Sequence, residues 1–330
     1  MEAVMKLAPD KPYPGANLVA EALVWFARGE GINRAVAAAP KQTDAMKLAG
    51  FLVPYGFRTD TALTSGEAMR RAADSPDVEL LLVDVRCQKP AVKTLVQEMR
   101  ADARTHEIPV AILTTHASRL AGPVVLFSPP DTPLDQQTAY DLLAPDNPFA
   151  HSLAVTYPMP VDARGTRWML DDLYLKTSTR PADPTVRLLQ GRRALGWIRE
   201  AVERAGTPDG ANVYAFEDID NLVTRATASA TLFFDGVELA AVVPSARMQA
   251  LLAELTAQPV FDIQTRQFVA QRFLSSIDKH GVLLRGKQVQ VLYDRYNASK
   301  DQPGEVQRLL AALLDAVEEK TFDTENRYRP

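Results

Sequence analysis

Between residues 34 and 115 the spacing of apolar positions changes repeatedly. "RAVAAA" (34–39) is a short apolar run. "TDAMKLAGFLVPYG" (43–56) has helical spacing through Met46, Ala49 and Val53, and Gly56 ends it. "FRTDTAL" (57–63) is a weaker extended segment, and "TSGEAMRRAADS" (64–75) opens on a capping box, Thr64 with Glu67 three residues on. "VELLLVDV" (78–85) reads as a continuous strand buried on both faces. "PAVKTLVQEMRADA" (90–103) sets Val92, Leu95, Val96 and Met99 on one side of a helix, and "IPVAILTT" (108–115) is another buried strand. Strands alternating with helices of this length predict βαβ crossovers and a parallel sheet covered on both faces.

The flanks are less regular. Residues 17–29 predict an amphipathic helix, with Asn17 as N-cap, Leu18, Ala22, Trp25 and Phe26 on one face, and Gly29 and Gly31 as stops. "GPVVLFSPP" (122–130) reads as a strand, an extension or an apolar loop, and 132–144 as a helix. "SLAVTYP" (152–158) reads as the closing strand and 164–176 as the closing helix. After the linker "TSTRPADPT" the long periodic segments are helical. Residues 185–205 carry Leu188, Leu195, Ile198 and Val202; 262–279 carry Val269, Phe273 and Ile277; 303–319 carry Val306, Leu309, Leu310, Leu313, Leu314 and Val317. Residues 229–243 fit a helix or an extended segment. The chain therefore divides into an N-terminal helical extension (1–30), an α/β domain (31–177) and an all-α domain (178–330) whose helix lengths suit stacked α-hairpins.

Composition narrows the function classes. A length of 330 residues suits about two domains, and a formal net charge of -4 favours neither nucleic acid nor an anionic membrane as partner. No apolar run approaches the ~20 residues that span a bilayer. The N-terminal residues lack a positively flanked apolar core, so no signal peptide is expected. Cys87 is the only cysteine, which excludes an intramolecular disulfide and a cysteine zinc site and fits a cytoplasmic protein. Arg86 beside Cys87 is a single cation, so an inert thiol is expected.

Residues 34–115 resemble the receiver domain of bacterial two-component response regulators, through "ELLLVDV" and "LVQEMRADARTHEIPVAILTTHAS". The resemblance implies a flavodoxin-like, doubly wound, five-stranded parallel sheet. It also implies a phosphoacceptor aspartate after the third strand, an acidic pair after the first that holds Mg²⁺, a hydroxyl after the fourth and a lysine after the fifth. Asp84 matches the aspartate and Thr114, or Thr115 with a shift of one, matches the hydroxyl. The acidic pair is replaced by Ala39, Pro40 and Lys41, and the lysine by Met159 or Ser128. Mg²⁺ demands several oxygen ligands, and phosphoryl transfer needs metal and cationic charge on the moving oxygens. Asp84, Thr114 and Lys41 are therefore expected to be a vestigial site, in which Asp84 caps a loop amide or pairs with Lys41. A small ligand at the C-terminal edge of the sheet is the remaining chemical alternative.

Residues 263–299 resemble the last repeats of bacterial HEAT-repeat proteins that carry a degenerate receiver-like domain. That implies a protein-binding scaffold. In receivers the fourth helix, fifth strand and fifth helix form the partner face, which maps to 132–176 and makes Trp168, Leu173 and Tyr174 candidate contacts. The expectation is a non-catalytic, cytoplasmic pseudo-receiver in signal transduction, with a protein partner or homodimer and with no cofactor or metal. The alternative is a phosphorylation-responsive regulator that uses Asp84.

The four histidines, His106, His116, His151 and His280, form no metal spacing. Walker, G-x-G-x-x-G and G-x-S-x-G signatures are absent from the sequence. "GRRALGWIRE" (191–200) reads as a solvated basic face around a core tryptophan.

Overall fold

The structure is a computed structural model, and it describes residues 11–84, 86–114, 152–156, 183–207 and 212–327. The chain divides into two compact units, Arg28–Leu189 and the combination of Met1–Ala27 with Gln190–Pro330.

The first unit is α/β. Strands β1 (Arg34–Ala38), β2 (Arg58–Ala62), β3 (Val78–Asp84), β4 (Val110–Thr114) and β5 (Ser152–Thr156) lie in the order β2-β1-β3-β4-β5. All four pairings are parallel. The segment read as a closing strand thus pairs with β4, from Val110 opposite Ser152 to Thr114 opposite Thr156. Every residue of β1 and β3 is buried, as a sheet covered on both faces requires. β2 is the polar edge: Arg58 is exposed, and Asp60 pairs with Arg34 at 3.3 Å.

Helices α2 (Gln42–Leu52), α3 (Ser65–Ala73) and α4 (Val92–Ala101) connect these strands. Val92, Leu95, Val96 and Met99 of α4 pack on Val36, Leu81, Val83 and Ile112. α3 begins as its capping box predicts: Glu67 N–H donates to Thr64 Oγ1 at 3.2 Å, and Leu63 N–H donates to Glu67 Oε2 at 2.9 Å. α2 turns a different face inward from the one its apolar spacing suggests. Ala45, Leu48 and Leu52 are buried, while Met46 and Val53 are 60% and 62% exposed. The two stripes lie one residue apart on the helix, and the one with two leucines is buried.

At the N-terminal edge of the sheet sits a group that the sequence patterns do not reveal. Arg187, from the first turn of α5 (Pro184–Ala205), donates from Nε to Asp77 Oδ1 at 3.1 Å and from Nη2 to Glu79 at 2.5 Å. Its Nη2 also reaches the Ile32 carbonyl and Asn33 Oδ1, both at 3.1 Å. Asp77 further accepts from the N–H groups of Glu30 and Gly31, at 2.6 and 3.2 Å. The three charged side chains are at most 6% exposed. Gly31 is required here: its φ is +72°, and a Cβ would lie 2.7 Å from both Leu188 Cβ and the Pro184 carbonyl.

The second unit is helical. α6 (Ile219–Ala228) packs on α7 (Phe233–Val242), α8 (Ala246–Ala257) on α9 (Ile263–His280), and α10 (Gly286–Ala298) on α11 (Gly304–Arg327). α9 also touches both α7 and α11, so successive pairs are layered. The 229–243 segment, open between helix and strand on the sequence, contains helix α7. Gly236 sits where α7 crosses α6, because a Cβ there would come within 2.8 Å of Thr227 N. The buried Gln249 ties the layers: its amide donates to the Gly281 carbonyl and accepts from Leu283 N–H, each at 2.9 Å.

Helix α1 (Ala16–Phe26) belongs to this unit rather than standing as a separate extension. It starts at Gly15 in the left-handed region, not at an Asn17 cap. It buries Ala16 and Ala20 against Val213 and Tyr214, and leaves Leu18 63% exposed. Leu23, on the same side of the helix, is also fully buried.

Candidate functional site

The third strand carries its terminal acid to the C-terminal edge of the sheet, where ligands bind in doubly wound folds. Asp84 is fully buried there. Its register partner on β4 is Leu113, which makes Thr114 the next position at the same edge. After β1 come Ala39, which is buried, and Pro40 and Lys41, which are exposed. Lys41 is the N-cap residue of α2.

The partner of Asp84 is Arg86, not Lys41. Asp84 Oδ1 accepts from Arg86 N–H at 2.8 Å and from Arg86 Nε at 3.0 Å, while Oδ2 accepts from Arg86 Nη2 at 2.6 Å. The backbone bond closes a tight turn, and the guanidinium then folds back as a bidentate fork. Of the two alternatives, a loop-amide bond or a pair with Lys41, the first forms with Arg86 N–H, and the same arginine supplies the charge. Planar geometry explains the choice, since a fork covers both carboxylate oxygens and an ammonium covers one. Asp44 in the first turn of α2 stands 3.8 Å from Arg86 Nη2, on its other side. One cation thus lies between two carboxylates.

The same device recurs in an ordinary surface turn. Asp102 Oδ1 accepts from Arg104 N–H at 2.9 Å and from Nε at 3.0 Å, and Oδ2 from Nη2 at 2.6 Å. The signal that finds Arg86 is therefore Asp-x-Arg at a turn, present as "DVR" and "DAR". Cys87 N–H donates to the Asp84 carbonyl at 2.9 Å. Burial, with the Asp84 charge adding to it, pushes its thiol up to about 12. The thiolate needed for nucleophilic or redox chemistry is therefore scarce at neutral pH.

Met159, Ser128, Thr115, Trp168, Leu173, Tyr174, His116 and His151 lie outside the described residues, as do the segments at 122–130, 132–144 and 164–176. His106 is exposed, with Nδ1 against the Ala103 carbonyl at 2.9 Å. Among the described residues no group of three or more His, Cys, Asp or Glu side chains is placed to hold a metal. Two of the three arginines of the 191–200 segment turn to acids of α7: Arg192 Nε lies 3.5 Å from Asp235, and Arg199 Nη1 lies 3.5 Å from Glu238. Among the described residues no helix is long and apolar enough to cross a membrane.

No family model and no curated protein matches the sequence. Among solved structures, the chain is similar to the chemotaxis response regulator CheY4 of Vibrio cholerae, at 14% identity and a TM-score of 0.32. That likeness covers 43% of this chain and 98% of the other.

Proposed function

We propose that this chain is a non-catalytic signalling scaffold: a receiver-like α/β unit that does not take up phosphate, joined to a HEAT-like helical unit that binds protein. The strand order β2-β1-β3-β4-β5 supports the receiver-like reading, because it is the flavodoxin-like order of doubly wound sheets. The layered helix pairs from α6 to α11 support the HEAT-like reading, since such stacks present extended binding surfaces.

The observation that carries the proposal is the state of Asp84. An acyl phosphate forms only when a carboxylate oxygen is free to attack phosphorus, with cations neutralising the moving oxygens. Both oxygens of the buried Asp84 are instead held by Arg86. Ala39, Pro40 and Lys41 supply no carboxylate for a metal. On this reading Asp84, Thr114 and Lys41 are remnants of a site, and the useful parts of the molecule are its surfaces. The partner is a protein or a second copy of the chain.

Incubation with acetyl phosphate and Mg²⁺ tests this. Intact-mass analysis is expected to give no phosphoryl adduct in the wild type, and light scattering no change in association state. An adduct present in the wild type and absent from Asp84→Asn overturns the proposal in favour of a phosphorylation-driven switch.

A further inference from the structure

Strand β2 forms one edge of the sheet and pairs with β1. Its backbone groups alternate in direction. Arg58 N–H donates inward to the Asn33 carbonyl at 2.8 Å, and the Ala62 carbonyl accepts inward from Ala39 N–H at 3.1 Å. Positions 58, 60 and 62 therefore serve β1, and Thr59 and Thr61 turn their N–H and C=O groups outward. Among the described residues no strand takes up that outward row.

An open edge invites another strand, and charged side chains ordinarily discourage it. On β2 the charges instead select one partner. Arg58 is exposed, and among the described residues it has no ion-pair partner, while Asp60 pairs with Arg34 at 3.3 Å. An antiparallel second copy centred on Thr59 exchanges both Thr59 bonds and sets each Arg58 opposite Asp60 of the other chain. These are non-hydrogen-bonded pairs, in which facing side chains come closest. Each Asp60 then stands between Arg34 of its own chain and Arg58 of the other. A register centred on Asp60 would oppose two acids, so charge selects the first.

An apolar stripe runs beside the same edge. Gln42 of α2 donates from Nε2 to Thr61 Oγ1 at 3.5 Å, so that side of the helix overlooks β2. Met46, Ala49 and Val53 follow Gln42 at helical spacing on that side. Met46 and Val53 are the residues that the fold leaves exposed. In a two-fold pair both stripes lie on one face of the joined sheet and flank the axis.

We propose that β2 joins two copies of this chain, sheet edge to sheet edge, by antiparallel pairing about Thr59. This rests on the scaffold function and names a second copy of the chain as its partner.

Sedimentation velocity of the full chain tests it. Wild type is expected to dimerise. Arg58→Asp and Asp60→Arg are each expected to weaken association by roughly tenfold or more, because each sets like charges opposite one another. Mixing the two variants is expected to restore association as a heterodimer, since one strand then carries two acids and the other two arginines. Thr59→Pro removes the outward N–H at an edge position, where proline is tolerated, and is expected to be monomeric with an unchanged circular dichroism spectrum. Wild type that stays monomeric to about 100 μM, a dimer undiminished in Arg58→Asp or Thr59→Pro, or no recovery on mixing overturns the proposal. A monomeric wild type leaves the scaffold function with a different protein as partner, whereas a phosphoryl adduct on Asp84 removes that function without altering these results.

Discussion

Asp84 and Arg86 differ in what they lose if parted. The carboxylate is 0% exposed and the guanidinium side chain 47% exposed. Arg86→Ala strands a buried acid, whereas Asp84→Asn keeps the acceptor for Arg86 N–H and leaves an arginine that can reach water. Arg86→Ala is therefore expected to cost about 1–3 kcal/mol, more than Asp84→Asn, and the double variant to recover part of the loss. Urea unfolding of the four proteins checks the order; an Arg86→Ala variant as stable as wild type contradicts the pairing. The position of Asp84 is legible in "VELLLVDVR", because a buried strand that ends in an acid delivers that acid to the sheet's edge. Its partner is not legible from strand spacing. Lys41 is near by topology, but a two-residue turn brings Arg86 closer, and that turn is local chemistry which the resemblance does not describe.

At the scale of the element, caps and faces follow different physics. The cap of α3 is written in adjacent residues, so Thr64 and Glu67 could be read directly. The inward faces of α1 and α2 could not, because each helix has two apolar stripes and the neighbouring surface selects between them. The inward side of α1 carries Ala16, Ala20 and Leu23, and that of α2 Ala45, Leu48 and Leu52. Glu67 gives the cap a pH signature. The Leu63 N–H, and then Arg71, hold its carboxyl below its ordinary value. A lowered folded pKa means that the unfolded chain binds the proton first on acidification. The stabilisation is thus complete above the unfolded value of about 4.3 and is lost as pH falls through the folded one. Glu67→Gln removes this term. The stability difference between wild type and Glu67→Gln is expected to shrink between about pH 6 and pH 3, by up to about 1 kcal/mol given the partly exposed side chain. Denaturant midpoints at both pH values measure it; a gap that widens in acid is the contrary result.

At the scale of the whole molecule, the α/β unit extends past the linker where composition alone would end it. The unit runs to Leu189, and Arg187 is its last charged residue. Its bond to Asp77 joins positions 110 residues apart, which no periodicity or motif can report. The apolar patterns of 78–85 and 185–205 are read through their hydrophobic positions, and neither Glu79 nor Arg187 is one of them. Together with Asp77 they place two carboxylates around one guanidinium. Asp77 also takes the Glu30 and Gly31 N–H groups, so Glu79 is the less satisfied acid. Burial, with Asp77 adding, raises the Glu79 carboxyl above its ordinary value, and Arg187 opposes the rise. Removing the arginine leaves both acids buried, so Arg187→Ala is expected to cost about 3–5 kcal/mol at neutral pH. A raised folded pKa means that the native state holds its proton longer than the unfolded chain, so stability falls as pH rises from the unfolded value through the folded one. Without Arg187 that window widens. Arg187→Ala is expected to recover stability between about pH 7.5 and pH 5 relative to wild type, and Arg187→Ala/Glu79→Gln to be more stable than Arg187→Ala at the higher pH. Urea unfolding across that range reads both effects. A flat difference between Arg187→Ala and wild type, with no rescue by Glu79→Gln, would mean that the carboxylates find water once the arginine is gone. The N-terminal edge of the sheet would then be held by backbone pairing and apolar burial alone.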